Sequence, residues 1–86
     1  MRVMGKAGRV LKQVLETYDI SQYSLAATLG IERTNVYRWV HEIRDPTAET
    51  LVDIVKALRT LNSDAASIFV QRYLGDVASG IEETES

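Results

Sequence analysis

Apolar residues recur at three- and four-residue spacing along almost the whole chain, a pattern typical of amphipathic helices. The alternation of apolar and polar residues that is typical of strands is scarce. We therefore predict an all-α domain over residues 1–75. Its five helices are expected at about 6–18, 22–29, 33–41, 48–61 and 64–74.

The predicted helix ends coincide with residues that cap helices. Ser21, Thr47 and Ser63 precede the second, fourth and fifth helices, where a hydroxyl can accept a hydrogen bond from a first-turn backbone N–H. Gly30 and Gly75 follow the second and fifth helices, where a left-handed residue ends many helices. Ile31, directly after Gly30, is expected to be a buried anchor for the third helix.

The third predicted helix divides into two sides. Val36, Trp39 and Val40 repeat at helical spacing and are expected to face the core. The opposite side then carries five polar or aromatic residues: Arg33, Thr34, Tyr37, Arg38 and His41. The core sides of the other helices are assigned to Val10, Leu11, Val14, Leu15 and Tyr18, to Leu25, Ala26 and Leu29, and to Leu51, Ile54, Val55, Leu58 and Leu61.

Length and composition exclude several classes of protein. The 86 residues correspond to about one domain. The absence of cysteine excludes disulfides and thiolate sites, and it fits a cytoplasmic protein. No apolar run approaches the ~18 residues of a membrane span. A single histidine without a carboxylate–histidine pattern gives no basis for an enzyme, a metal site or a cofactor.

Charge alone leaves the partner of the chain open. The net charge is −2, but residues 1–75 hold ten Lys and Arg against eight Asp and Glu. Residues 76–86 hold four acids and no base, so we expect an acidic, disordered tail there. A basic excess this small does not predict strong non-specific binding to phosphates.

The third helix carries the residue types that read DNA bases. Two short helices joined through residues 29–31 form a helix-turn-helix pattern, in which the second helix presents its outer face to the major groove. Arg33 and Arg38 can each pair bidentately with a guanine. Thr34 offers a hydroxyl and a methyl group, and Tyr37 can contact a thymine methyl or a phosphate. These four residues are the predicted base readers.

Several segments together resemble the phage-repressor and Cro type of helix-turn-helix domain, the xenobiotic-response-element class of transcription regulators. The segments are SQYSLA (21–26), LGI (29–31), RTNV (33–36), Trp39 and RDPTAETL (44–51). The resemblance covers about residues 9–61. It implies a five-helix, lambda-repressor-like domain that binds double-stranded DNA as a homodimer on a palindromic site.

The resemblance also assigns residues outside the base-reading set. It implies that Gln22, the first residue of the second helix, contacts phosphate and supports a base reader. Asn35, His41 and Arg44 are expected to contact the DNA backbone or to support the readers. Glu32 stands where the family often has a Ser or Thr cap. Glu42 stands where it often has Gly, so the third helix is expected to run longer or to end differently.

Three questions stay open at the level of sequence. The basic residues Arg2, Lys6, Arg9 and Lys12 either touch the DNA backbone or solubilise the N-terminus. The stripe of Ile68, Phe69 and Tyr73 is core against the first helix, a dimer seam, or partly both. The function expected first is a repressor-like transcription regulator. The alternative is a protein-interaction module or antitoxin-like adaptor on the same fold, which the acids at 32 and 42 favour.

Overall fold

Over the residues that the structure describes, the chain folds into five helices, as the apolar periodicity predicts. A computed structural model describes residues 6–85, and it describes side chains up to Gly75. The helices are α1 (Lys6–Thr17), α2 (Gln22–Leu29), α3 (Arg33–Val40), α4 (Ala48–Leu61) and α5 (Ser63–Glu85). The first four agree with the predicted bounds to within one residue.

The helices enclose one apolar core. Helix α1 packs on α3 and α5, α2 packs on α3 and α4, and α4 packs on α5. The largest fully buried side chains are Leu11, Val14, Leu25, Val36, Ile54, Leu58 and Phe69. Among the described side chains no polar or charged residue is buried. The core therefore holds α3 by its apolar side alone.

Two predicted caps are confirmed. The Ser21 hydroxyl accepts a hydrogen bond from the Ser24 backbone N–H at 2.9 Å. The Thr47 hydroxyl accepts one from the Thr50 N–H at 3.1 Å. Each bond satisfies one of the backbone donors that a helix leaves unpaired at its N-terminus.

The cap predicted for α5 was wrong by one residue. Asn62 caps this helix, because its side-chain oxygen accepts from the N–H groups of Asp64 at 2.9 Å and Ala65 at 3.3 Å. Asn62 also donates its own N–H to the Leu58 carbonyl at the end of α4. One residue thus ends α4 and begins α5, which leaves Ser63 inside the helix.

The fifth helix is longer than predicted. It runs on to Glu85, so Gly75 does not end it and the segment 76–85, which we expected to be disordered, is helical. Gly75 lacks the left-handed backbone that stops a helix at glycine, which Gly30 has. A glycine inside a helix costs only about 1 kcal/mol relative to alanine, which is too little to stop a helix.

Two apolar residues expected inside are partly outside. Ile31 is 38% exposed, and Leu61 is 37% exposed. Ile31 follows a helix of only eight residues, whose inner face is already filled by Leu25 and Ala26. It therefore lies at the rim of a surface groove and not in the core.

Candidate nucleic-acid interface

The turn between α2 and α3 is built on a left-handed glycine. Gly30 has φ 77° and ψ 31°, and its N–H bonds to the Ala26 and Ala27 carbonyls. The Ile31 N–H also bonds to the Ala26 carbonyl, at 3.0 Å. This is the Schellman arrangement, which ends a helix sharply. It allows α3 to begin only three residues later.

The start of α3 lacks a side-chain cap. Glu32 occupies the capping position with an extended backbone, but its carboxylate makes no capping hydrogen bond. The backbone N–H of Asn35 bonds to the Glu32 carbonyl at 3.0 Å in the first turn. A carboxylate there still interacts favourably with the positive end of the helix dipole. It also adds a negative charge beside the predicted base readers.

The two sides of α3 differ as predicted. Val36 is fully buried, while Trp39 and Val40 are 6% and 5% exposed, so Trp39 is a core residue. The five residues of the opposite side are exposed: Arg33, Thr34, Tyr37, Arg38 and His41. We call this set the exposed face of α3. Within the part of the chain that the structure describes, neither arginine of this face has a hydrogen bond or an ion pair through its guanidinium, so both side chains can bind another molecule.

Tyr37 and His41 lie one helical turn apart and contact each other. Their ring centroids are 4.0 Å apart, with an angle of 36° between the ring planes. Side chains at i and i+4 share one face of a helix, which explains the contact. The two rings form a continuous aromatic surface along the exposed face of α3. The contact between them restricts the rotamers that Tyr37 can adopt.

A surface cleft beside the end of α3 joins Gln22 and His41 to Lys12. The cleft lies between α1, the start of α2 and the end of α3, with Leu15 and Val40 among its apolar walls. The structure thus brings together two residues assigned to DNA support and one residue of the basic N-terminal run. Glu16 and Asp19 also line the cleft, so its charge is mixed.

A second groove on the other side of α3 holds Asn35 and Arg44. It lies between the turn at Ile31 and the loop before α4, and Trp39 and Pro46 form part of its wall. Asn35 is half-buried there, whereas Arg44 is exposed. Asn35 therefore does not share the exposed face of α3. It lies near Arg44, which fits the supporting role expected of both residues.

The residue that terminates α3, two positions after its last residue, has a backbone conformation that glycine usually adopts. Glu42 has φ 60°, a left-handed backbone that side chains rarely adopt. The Glu42 N–H bonds to the Trp39 carbonyl at 3.0 Å, and the Ile43 N–H bonds to the Arg38 carbonyl at 2.8 Å. The helix thus ends after Val40 as it would with a glycine, and it does not run longer.

Two contacts between α1 and the end of α3 were missed by the sequence reasoning. Gly8 lies so close to α3 that a Cβ atom on it would overlap the carbonyl oxygen of Trp39. One residue further on, the Arg9 guanidinium lies 3.4 Å from the Glu42 carboxylate. The only signal in the sequence was a glycine within a strongly amphipathic helix, which indicates close packing.

The basic N-terminal run divides among different partners. Arg9 pairs with Glu42, and the ammonium of Lys6 lies 5.8 Å from the centre of the Tyr73 ring. Lys12 lies at the cleft with Gln22. Arg2 lies outside the described residues.

The three residues proposed for a dimer seam pack mainly within their own protomer. Phe69 is 2% exposed and belongs to the core, and its ring stacks on that of Tyr73 at 6.1 Å. Tyr73 and Ile68 are half-buried, and Ile68 packs against the core. Phe69 cannot contribute to a seam without leaving the core.

The comparisons with known proteins locate one family match. A family model described as helix-turn-helix matches residues 11–62, which include α2, the turn at Gly30 and α3. No curated protein and no solved structure shows a significant match to the chain. No helix in the described part of the chain combines the length and the apolar character needed to cross a membrane.

Proposed function

Since the chain belongs to the phage-repressor and Cro type of helix-turn-helix family, whose members bind DNA, we propose that it is a sequence-specific transcription regulator. Its all-α fold is lambda-repressor-like. One observation carries the proposal: α3 exposes Arg33, Thr34 and Arg38 on the side opposite its buried residues. In this function α3 enters the major groove and Arg33, Thr34, Tyr37 and Arg38 contact bases.

The spacing of the two arginines suits base pairs that lie two steps apart. Arg33 and Arg38 are five positions apart in the helix, which corresponds to a rise of about 7.5 Å along its axis. Two base-pair steps of DNA cover about the same distance, at ~3.4 Å per step. Each bidentate arginine–guanine pair contributes about 1–3 kcal/mol of discrimination against the wrong base.

Contacts to the DNA backbone would come from both sides of α3. On one side, Gln22, His41 and Lys12 share a cleft, and on the other Arg44 lies beside Asn35. Such contacts fix the register of α3 in the groove without carrying sequence information.

Selection of duplexes from a random pool tests the proposal directly. We expect a recovered motif with at least one guanine in each half-site, since two arginines face the groove. The affinity for this motif should fall steeply with salt, in proportion to the phosphates that the protein neutralises. Failure to enrich any motif, or an affinity that does not depend on salt, would favour the adaptor function.

We also propose that the protein acts as a homodimer on a palindromic site. A twofold dimer places two α3 helices about one DNA turn apart, ~34 Å, on one side of the duplex. With Phe69 in the core, the seam is assigned to the groove between α4 and α5. The groove is lined by residues that include Val55, Arg59, Ser67 and Val70. Leu74, on the same helix, is 51% exposed.

Charge complementarity supports a second copy as the occupant of this groove. The groove holds Arg59 and no carboxylate among its lining residues. The C-terminal half of α5 has four acids in its sequence, at positions 76, 82, 83 and 85. In a twofold arrangement the same patch serves both protomers, so the opposite charges of groove and acidic segment favour pairing of two copies.

The oligomeric state tests the seam. Leu74→Glu should shift the protein from dimer to monomer in light scattering coupled to gel filtration. Tyr23→Glu is the matched control, because Tyr23 is 69% exposed on α2, away from this groove. A wild-type monomer at all concentrations, or a dimer unaffected by Leu74→Glu, would contradict the seam.

A further inference from the structure

An ion pair connects α1 to the end of α3. The Arg9 and Glu42 side chains approach to 3.4 Å across 33 positions of sequence. They are 56% and 41% exposed, so solvent screens the pair and it contributes little to stability, about 0–1 kcal/mol. A role for this ion pair is therefore to be sought in binding and not in the stability of the fold.

The backbone holds both ends of this pair in place. On α1, Gly8 lies against the Trp39 carbonyl, which fixes Arg9 beside the last turn of α3. On the other side, Glu42 has a left-handed backbone, its N–H donates to the Trp39 carbonyl, and the next N–H, of Ile43, donates to the Arg38 carbonyl. The backbone of Glu42 therefore stays beside Arg9 unless the end of the helix reorganises.

The position of Glu42 is unfavourable for binding DNA. It lies at the negative end of the α3 dipole and two residues before Arg44, which is assigned to the DNA backbone. A carboxylate close to a phosphate is repelled by about 1 kcal/mol even at the dielectric constant of water. Within a few ångströms, salt at physiological strength screens this repulsion only in part, because the Debye length is about 8 Å.

We propose that Arg9 is a positioning residue for DNA binding: it neutralises Glu42 and so raises affinity without itself contacting the duplex. The inference rests on the proposed function and adds to it a residue outside the helix-turn-helix. It also explains how a chain of this family can carry an acid at this position. In the alternative geometry, Arg9 leaves Glu42 and contacts a phosphate directly.

A double-mutant cycle distinguishes these two geometries. The affinities of the wild type, Arg9→Ala, Glu42→Gln and the double variant are measured for the selected duplex at several salt concentrations. We expect Arg9→Ala to weaken binding about fivefold, the equivalent of ~1 kcal/mol. In the Glu42→Gln background the same change should alter affinity less than twofold. Because a screened repulsion causes the loss, the penalty of Arg9→Ala should shrink as salt rises, whereas removing Arg9 in the Glu42→Gln background should leave the salt slope unchanged.

Two results would overturn the inference. One is an equal loss in both backgrounds with a salt slope smaller by about 0.9, which is the signature of a lost phosphate contact. The other is no loss in either background. Thermal unfolding of the four proteins shows that each is folded. If the wild type binds no duplex, the proposed function itself fails, and that outcome is separate from a failed cycle.

Discussion

Gly8 of α1 lies directly against the backbone carbonyl of Trp39, so the two helices meet without any side chain between them. This contact fixes the distance between α1 and the end of α3. In an ordinary helix interior, replacing glycine by alanine stabilises by about 0.5–1 kcal/mol. Here the added methyl group would have to displace backbone.

The first prediction is that Gly8→Ala destabilises the protein. Overpacking of this kind costs about 1–3 kcal/mol, measurable as a lower midpoint in urea. Gly75→Ala is the matched control, because a Cβ atom there meets nothing within 4 Å and the backbone is not left-handed. The control should be neutral or stabilising. Equal effects at the two glycines would contradict the close approach.

The second prediction concerns the two left-handed residues that end α2 and α3. Gly30→Ala should lower the free energy of unfolding by about 1–2 kcal/mol, since φ 77° is strained for any side chain. Glu42→Gly should raise it by about 0.5–1 kcal/mol, because relieved strain exceeds the loss of an exposed ion pair. Chemical denaturation of both variants checks the opposite signs. A destabilised Glu42→Gly protein would show that the pair with Arg9 outweighs the strain.

The third prediction concerns the uncapped start of α3. Glu32→Ser supplies the missing cap and should stabilise the protein by about 1 kcal/mol. It also removes a carboxylate beside the base readers, so affinity for DNA should rise. Glu32→Gln separates the effects: it removes the charge without a good cap, so affinity should rise while stability does not. If both variants leave affinity unchanged, Glu32 lies too far from the phosphates to matter.

The fourth prediction tests the base readers. Arg38→Ala should weaken binding to the selected duplex by about 1–3 kcal/mol and relax the preference at one base pair. Lys56→Ala removes an equal charge from the exposed side of α4 and should leave the preference intact. Binding measured at fixed salt on matched and mutated duplexes checks both. An Arg38→Ala protein with unchanged sequence preference would remove Arg38 from the base readers.

Features that depend on local sequence were predictable. The apolar stripe of Val36, Trp39 and Val40 determines which side of α3 is buried, and the exposed side follows from it. The caps at Ser21 and Thr47 and the turn at Gly30 are also local, because each bond joins residues within five positions. The helix-turn-helix and its exposed face can therefore be predicted from the sequence alone.

Features that depend on distant contacts were not predictable. The pairing of Arg9 with Glu42 joins two helices that the sequence does not show to be neighbours. The burial of Phe69 likewise depends on how α5 lies across α1. The predicted end of α5 at Gly75 was wrong for a different reason: glycine permits the left-handed backbone that ends a helix but does not require it. Only the surrounding packing decides whether the helix continues.

Trp39 is the only tryptophan in the chain, and it is 6% exposed on the side of α3 opposite its exposed face. Its indole is therefore a built-in fluorescent reporter for the docking of α3 on the rest of the fold. Emission should be blue-shifted in the native state and move to the red when α3 separates from α1. Because the indole lies almost entirely in the interior, its emission follows folding directly.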